Sequence, residues 1–182
     1  MLAEMPGLES DWRHIIRGRL ALGIGINTGF AQVGNTGSTR KFKYGPHGHT
    51  VNLASRVQEL SKHLKTPLVI TAETRNRLRP DFPARRLGRV HLAGMANPVE
   101  VHELPPAADS ADWPAYRDIY ERALAMYEAG QLDEAHQTLL SLRQTWRTDD
   151  SDTPLKLLTE RVRECLNNPP APFDPALYRT SH

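Results

Sequence analysis

The stretch KYGPHGHTVNLASR, residues 43–56, leads from a turn into a helix and decides how the first part of the chain folds. Its glycines and its proline predict a turn. Residues 50–64 then place Leu53, Val57, Leu60 and Leu64 on one stripe, the pattern of a helix with one buried face. Asn52 and Arg56 lie four residues apart on the same helix and therefore share a different part of its surface.

An amide and a guanidinium side by side after a turn allow two interpretations. The two side chains can bind a ligand together, because a guanidinium fork suits phosphoryl oxygens and an amide can orient a sugar oxygen. Alternatively, Arg56 pairs with a surface carboxylate such as Glu59. The spacing alone favours the surface pair.

The segment before this helix has the alternation of a strand. Residues 20–27, LALGIGIN, are apolar at every second position, and the interleaved glycines predict close approach by another backbone. A turn at residues 28–29 and a second short strand, FAQV, predict a hairpin over residues 20–33, followed by a loop at residues 34–39. Further upstream, Ser10 and Asp11 predict the start of a short helix that ends near Gly18.

The segment after the helix continues the mixture of strands and helices. Residues 68–71, LVIT, predict a short buried strand, and Thr71 is expected to cap a helix through Leu78. Residues 86–92 and 99–104 predict two more strands around a turn at residues 94–98. This order predicts an α+β fold.

The last third of the chain is predicted to be helical. Residues 105–112 have the composition of a linker, and residues 113–129 and 132–146 predict two helices hinged at Gly130. Small and large residues stand where a tetratricopeptide (TPR) repeat has them: Ala123, Gly130, Ala135, Tyr127 and Leu139. One such repeat cannot bury its own face, so it must pack on the first domain or on a partner. A third helix at residues 154–166 precedes a proline-rich tail. The predicted domains are residues 1–104 and 113–182.

Composition narrows the classes of function. The chain has 182 residues, enough for one domain with an appendage, and its net charge of +2 is too small to predict a nucleic-acid partner. Its one cysteine, Cys165, forms no internal disulfide and fits a reducing compartment. The chain shows no signal peptide and no apolar run long enough to cross a membrane, so a cytoplasmic location is expected.

Two glycine-rich segments resemble nucleotide-binding loops in composition, but neither has the required sequence pattern. GIGINTG, residues 23–29, has one residue too many for the dinucleotide fingerprint, and its glycines lie within the predicted strand rather than after it. GNTGSTRK, residues 34–41, lacks the Lys-Ser/Thr pair of a phosphate loop.

Taken in order, GIGINTG, VGNTGS, a basic stretch and YGPHGHTVNLASR resemble the C-terminal half of the class III adenylate/guanylate cyclase catalytic domain. The resemblance covers residues 20–104 and continues through LVITAET, RRLGRVHLAG and PVEVHEL. It implies a partial ferredoxin-like cyclase domain, and the TPR-like helices with the NPPAPFDP tail resemble an extension found on some bacterial members.

The resemblance implies a function for the opening stretch. Such an enzyme is a phosphorus-oxygen lyase that makes cyclic AMP or cyclic GMP and pyrophosphate from ATP or GTP in intracellular signal transduction. Asn52 and Arg56 would approach the ribose and the α-phosphate as catalytic residues, which reverses the preference for a surface pair. Four neighbouring residues would bind the nucleotide: Gly45, Pro46, His47 and Thr50.

The family's Mg²⁺ or Mn²⁺ ions are held by two aspartates of the N-terminal half, and this chain begins after both. Because sites of this family form at a dimer interface, the resemblance implies a homodimer or a cyclase chain that supplies those aspartates as the partner, and the chain alone is expected to be inactive. Gly45 replaces an adenine-reading Asp, and Ala93 and Met95 stand where a triphosphate-binding Lys is expected. These departures favour the alternative of a non-catalytic regulatory or dimerisation domain. A third interpretation makes the helices a docking platform.

Overall fold

The computed structural model describes residues 4–15, 21–38, 41–104, 111–146 and 152–179. The first part of the chain contains α1 (Met5–Trp12), β1 (Ile24–Ile26), β2 (Gln32–Ser38), β3 (Lys41–His47), α2 (His49–Leu64), β4 (Leu68–Thr71), α3 (Ala72–Arg75), β5 (Arg85–His91) and β6 (Val99–Glu103). The last part contains α4 (Trp113–Glu128), α5 (Leu132–Trp146), α6 (Thr153–Asn167) and β7 (Tyr178–Arg179). The predicted α+β class is confirmed.

The main sheet has five strands in the order β1-β4-β6-β5-β7. β1 runs parallel to β4, with Ile24 opposite Leu68, and β7 runs parallel to β5. The pairs β4-β6 and β5-β6 are antiparallel. A separate two-stranded ladder joins β2 to β3.

The predicted hairpin over residues 20–33 is wrong. β1 pairs with β4, and β2 pairs with β3, so that Val33 lies opposite Pro46. The prediction of a loop at residues 34–39 is also wrong for the described residues 34–38, because β2 continues to Ser38. The physical reason lies at residues 27–30, whose side-chain hydrogen bonds to α2 and β4 direct the chain out of the main sheet.

β1 lies directly beneath α2, as its glycines predicted. A Cβ on Gly25 would overlap the backbone of Gln58 and would lie 2.7 Å from the carbonyl oxygen of Ala54. Gly25 therefore permits the close approach of helix and strand. The strand itself is shorter than predicted, and Leu20 lies outside the described residues.

The central helix and three strands agree with the sequence predictions. α2 begins at His49, one residue earlier than expected, and its buried residues include the whole predicted stripe. β4 has the predicted bounds, β5 lies one residue earlier than predicted at both ends, and β6 ends one residue earlier than predicted. These elements carry strong local periodicity, which explains the agreement.

Two short helices differ from their predictions. α1 begins at Met5, and Pro6 occupies its first turn, a position that suits proline because its missing N–H has no helical partner there. Ser10 therefore lies inside this helix rather than at its start, and Gly18 falls outside the described residues. α3 ends at Arg75 rather than at the predicted Leu78, although the hydroxyl of Thr71 accepts from the Thr74 N–H at 3.4 Å as the predicted cap.

The three long helices of the last part are confirmed to within a residue or two. Gly130, between α4 and α5, has φ = +77°, a conformation that glycine adopts without strain. The predicted linker is described only from residue 111 onward, so the boundary between the two predicted domains stays a prediction.

The helices pack on the sheet of the first part. One buried cluster joins sheet residues to helix residues, among them Leu87, Val90, Val101, Tyr120, Leu124, Tyr127, Leu139, Leu158 and Val162. The sequence left two packing partners open for these helices, the first domain or another protein, and the helices pack on the sheet of this chain. Cys165 on α6 belongs to this cluster and is 1% exposed.

The C-terminal tail returns to the sheet beside β5. The Leu177 N–H donates to the Arg89 carbonyl oxygen at 2.8 Å, and Tyr178 lies opposite Val90. The ring of Phe173 contacts Tyr127 edge to face at 5.5 Å. The β5 edge is thus covered by β7, whereas among the described residues no strand pairs with the outer edge of β1.

A buried arginine connects the sheet to the helices. Arg85 on β5 donates to Glu103 at 2.6 Å and, through two nitrogens, to Asp152 at 2.7 and 3.0 Å. Its guanidinium lies 4.4–5.6 Å from the ring centres of Trp113, Tyr116 and Tyr120 on α4. Asp152 also caps α6 by accepting from the Leu155 N–H at 3.0 Å.

The next residue, Arg86, makes a second set of contacts with α4. Its guanidinium donates to both carboxylate oxygens of Glu128 at 2.8 Å and to Glu100 at 3.0 Å, and its backbone N–H donates to Glu121 at 2.7 Å. Consecutive arginines of β5 therefore both bind the helical part.

None of the described helices is both long and apolar enough to span a membrane.

Candidate functional site

Asn52 and Arg56 lie on the outer side of α2, near its first turns. Asn52 is exposed, and no described residue forms a hydrogen bond with its side-chain amide. Arg56 is 43% exposed at its side chain and donates to Glu59 at 3.1 Å. The surface pair that the spacing favoured is therefore present, and Asn52 and Arg56 are brought to one side of the helix.

The contact between Arg56 and Glu59 is weak. Both side chains are about half exposed, and such a pair one helical turn apart typically contributes about 0.2–0.5 kcal/mol. A phosphate group that accepts two hydrogen bonds from the guanidinium competes easily with a contact of this size. The surface pair therefore leaves Arg56 available to an anionic ligand.

The predicted turn at residues 45–48 is extended over most of its length. Gly45, Pro46 and His47 belong to β3, and the chain turns only at Gly48, where φ is +115°. A Cβ on Gly45 would meet no atom within 4 Å, so open space lies beside it. His47 Nδ1 is buried without a hydrogen-bond partner among the described residues.

Thr50 has contacts within the fold. Its hydroxyl donates to the Phe30 carbonyl oxygen at 2.5 Å, and its carbonyl oxygen accepts from the Asn27 amide at 3.0 Å. These contacts fix the first turn of α2 to the segment after β1. The role of Thr50 in nucleotide binding stays a prediction.

Sequence reasoning missed a polar network behind this turn. Asn27 accepts from the Thr71 hydroxyl at 2.8 Å, and the Thr74 hydroxyl lies 3.0 Å from that of Thr28 and donates to the Ile26 carbonyl oxygen at 3.3 Å. Thr71 is fully buried. The available signal was the NTG sequence after the β1 strand, since an asparagine there has both a donor and an acceptor for its neighbours.

A cleft of about 550 Å³ opens beside the start of α2. Its walls include His49 and Leu53 of α2, Arg89 of β5, and Met95 in the turn before β6. Asn52 and Arg56 are not among the residues that line the cleft, although Arg56, seven residues after His49, lies on nearly the same side of the helix. Met95 occupies the position where the resemblance implies a triphosphate-binding lysine. The guanidinium in the cleft wall comes from Arg89 instead.

The described residues do not form a metal site. Among them, no group of three or more His, Cys, Asp or Glu side chains is placed to hold an ion. Glu59 is the carboxylate that contacts Arg56, and it is already engaged in an ion pair with this arginine. Because a divalent cation such as Mg²⁺ needs several oxygen ligands, the described residues do not fit a site for it.

The model of the adenylate and guanylate cyclase catalytic domain matches residues 8–104, which is more than half of the chain. The chain belongs to this family.

Similar proteins include several bacterial cyclases. Adenylate cyclase 1 of Rhizobium meliloti (strain 1021) is 29% identical over 81 residues, 44% of this chain and 12% of that protein. The adenylyl cyclase CyaB from P. aeruginosa is 31% identical with a TM-score of 0.49, over 56% of this chain and 51% of that one. A bacterial light-regulated adenylyl cyclase is 25% identical with a TM-score of 0.43, over 55% and 30% of the two chains. The matched part of this chain thus spans about an eighth of the Rhizobium protein and half of the CyaB chain.

Proposed function

We propose that this chain is a nucleotide cyclase module that forms cyclic AMP or cyclic GMP and pyrophosphate from a nucleoside triphosphate. Membership of the cyclase catalytic-domain family supports the class of reaction. The observation that carries the proposal is the joint exposure of Asn52 and Arg56 on α2, where only a weak surface contact engages the guanidinium.

In this reaction, the ribose 3′-oxygen bonds to the α-phosphorus and loses its proton. The bond from the α-phosphorus to the oxygen that bridges it to the β-phosphorus breaks, and pyrophosphate leaves with that electron pair. Arg56 would donate to the non-bridging α-phosphate oxygens, on which charge grows. Asn52 would orient the ribose by hydrogen bonding, and Gly45, Pro46, His47 and Thr50 would lie beside the nucleotide.

Divalent metal ions serve the family generally, and we propose that their aspartate ligands come from another cyclase chain, because a second copy of this chain would bring no aspartates that the first one lacks. The exposed surface of the β2-β3 ladder supports such a partner. Val33 lies opposite Pro46 and Asn35 opposite Tyr44, so these four residues share one face. All four are exposed, with Val33 at 60% and Tyr44 at 70%, and the neighbouring Phe30 is fully exposed.

The test is complementation between two chains. A full-length homologue whose own Asn and Arg are replaced, but whose aspartates are intact, is mixed with this chain and ATP or GTP. Activity is expected only in the mixture, and Arg56→Ala is expected to lower it about a hundredfold or more. Arg77→Ala, at another exposed arginine, is the matched control and should leave the rate unchanged. Equal activity with and without Arg56 would refute the catalytic role.

A second candidate is a non-catalytic regulatory or dimerisation domain that keeps the cyclase fold. The observation that favours it is Met95 at the wall of the cleft, where a triphosphate-binding lysine is expected. The complementation experiment separates the two candidates. A complex that forms, as shown by light scattering, but makes no cyclic nucleotide with either triphosphate would favour the regulatory domain.

The helical extension is proposed to be TPR-like, and the first part to be a partial ferredoxin-like domain. Ala123 and Ala135 are fully buried, as are Tyr127 and Leu139, and this supports small and large residues in the places that a TPR repeat requires. Because the extension packs on its own sheet, it would act as part of the cyclase unit rather than as a separate docking platform. A cytoplasmic location is proposed from the single cysteine.

A further inference from the structure

Asn27, just after β1, uses both ends of its side chain to connect two elements. Its amide donates to the Thr50 carbonyl oxygen at 3.0 Å, and its amide oxygen accepts from the Thr71 hydroxyl at 2.8 Å. Thr50 belongs to the first turn of α2, and Thr71 ends β4. Asn27 is therefore a direct polar connection between the sheet and the beginning of α2.

The beginning of α2 has few other means of support. Its N-cap residue is Gly48, which has no side chain to accept from the first N–H groups of the helix. The buried residues of α2 are Leu53, Val57, Leu60, Ser61 and Leu64, so most of its hydrophobic contact lies in the later turns. The first turn thus depends on contacts with residues 27–30.

Two further contacts fix the segment that carries Asn27. The Thr50 hydroxyl donates to the Phe30 carbonyl oxygen at 2.5 Å, and the Thr74 hydroxyl donates to the Ile26 carbonyl oxygen at 3.3 Å. A Cβ on Gly29 would lie 2.9 Å from the Thr50 hydroxyl, so the segment packs closely against the helix. Its conformation is thereby set from both sides.

We propose that Asn27, together with Thr71, is a positioning residue that sets the first turn of α2 and thereby places Asn52 and Arg56 against the substrate. This role rests on the proposed cyclase function. Asn52 follows Thr50 by two residues, and its own N–H makes the 3.1 Å bond to the Gly48 carbonyl oxygen in the first helical turn. A shift of about 1 Å in a positioned group can lower a rate a hundredfold, so a loosened first turn affects catalysis strongly.

The first arm of the test measures the helix itself and needs no activity. Amide hydrogen exchange of the full chain is followed by NMR for Asn27→Ala, Thr71→Val and Thr71→Ser. We expect exchange at the Asn52 amide to rise about tenfold or more in the first two variants, with no change at Leu64. Thr71→Ser keeps the hydroxyl and should restore protection. A uniform rise along α2, an unchanged Asn52 amide, or loss of folding in Asn27→Ala and Thr71→Val would each overturn the proposal.

The second arm uses the complementation assay. We expect Asn27→Ala and Thr71→Val to lower kcat about tenfold or more while KM changes less than about threefold, because the variants loosen the turn that carries the catalytic pair while Gly45, Pro46 and His47 on β3 keep their places beside the nucleotide. Thr71→Ser should restore kcat. Thr159→Val, which removes a comparable hydroxyl contact with Leu155 on the distant α6, is the matched control and should leave kcat unchanged.

The two arms separate the inference from the proposed function. If the wild-type mixture is inactive, the cyclase function fails, and the exchange arm still decides whether Asn27 holds the start of α2. If the mixture is active and kcat is indifferent to Asn27→Ala, the positioning role fails while the function stands.

Discussion

Arg85 on β5 and Asp152 at the start of α6 are 67 residues apart in sequence and share two hydrogen bonds of 2.7 and 3.0 Å. The guanidinium is almost fully buried, and Asp152 also accepts from the Tyr116 hydroxyl at 2.6 Å. A buried cation requires such partners, because an uncompensated charge inside a protein is strongly destabilising. The helical part and the sheet therefore depend on each other energetically.

Asp152→Asn is expected to lower the free energy of unfolding by about 3 kcal/mol, since it removes a charge that compensates Arg85 and leaves only Glu103. Urea denaturation monitored by circular dichroism measures the change. Glu164→Gln removes the exposed contact with Arg161 and serves as the control, with an expected change within about 0.5 kcal/mol. Equal stability of the two variants would show that the Arg85 pair contributes little.

Stability is expected to fall in acid through Asp152 and Glu100. The hydrogen bond from His102 is the largest influence on Glu100 and, with Arg86, brings its pKa from 4.5 to about 2 despite partial burial. Burial raises the pKa of Asp152, but the hydrogen bond and charge of Arg85 outweigh burial and leave that pKa below its ordinary value.

A carboxylate whose pKa is lower in the folded state than in the unfolded state stabilises the protein at pH values above its unfolded-state pKa. This contribution is lost as the pH falls to the folded-state pKa. For Glu100, this loss is expected between pH 4.5 and about 2. Urea denaturation across this range should show the decline, and Glu100→Gln should make it shallower. Parallel curves for the wild type and the variant would contradict the assignment.

Glu59→Gln is expected to change the free energy of unfolding by less than about 0.5 kcal/mol, because its contact with Arg56 is exposed. In the complementation assay, the variant should lower KM by no more than about twofold, since the substrate phosphate no longer competes with Glu59 for the guanidinium. Steady-state kinetics at several nucleotide concentrations tests this. A large loss of activity would instead give Glu59 a direct role in the site.

A chain cut after residue 110 is expected to lose cooperative folding. The cut removes the helices that bury Leu87, Val90 and Arg85, and it removes β7 from the edge of β5. Differential scanning calorimetry and the dispersion of amide NMR signals provide the measurement, with a chain cut after residue 179 as the control. A sharp melting transition of the shorter chain would support residues 1–104 as an autonomous domain.

Gly25→Ala is expected to destabilise the chain by more than about 1 kcal/mol, because the new methyl group would overlap the backbone of Gln58. Gly45→Ala is the matched control within another strand, where open space surrounds the position, and it should change stability by less than about 0.5 kcal/mol. Thermal melts of both variants test the difference. Similar melting temperatures would refute the close approach of α2 and β1.

Elements with strong local periodicity were predictable from the sequence. The stripe of α2 and the alternation of β5 and β6 are short-range patterns, and the structure reproduces them. Strand pairing was less accessible, because it depends on contacts between distant segments. β1 pairs with β4, about 44 residues later, whereas the sequence rules favour neighbouring strands.

The candidate site was likewise predictable from the sequence only in part. Asn52 and Arg56 were found from a four-residue spacing together with a family resemblance, and their proximity follows from helix geometry alone. The contacts of Asn27 were not found, because Thr50 and Thr71 lie 23 and 44 residues away in sequence. Such a network leaves no periodic signal and becomes visible only when the three elements are assembled.

The burial of Cys165 gives this chain an internal reporter. It is the single cysteine of the sequence, it lies on α6, and it is 1% exposed. Cys165 borders a surface cavity at the end of α6, but at 1% exposure its thiol is expected to react with a thiol reagent mainly when α6 moves away from the residues around it. The labelling rate under native conditions would report how often the C-terminal layer detaches, without any engineered probe. Compared with hydrogen exchange at Asn52, it would show whether the two ends of the molecule open together or independently.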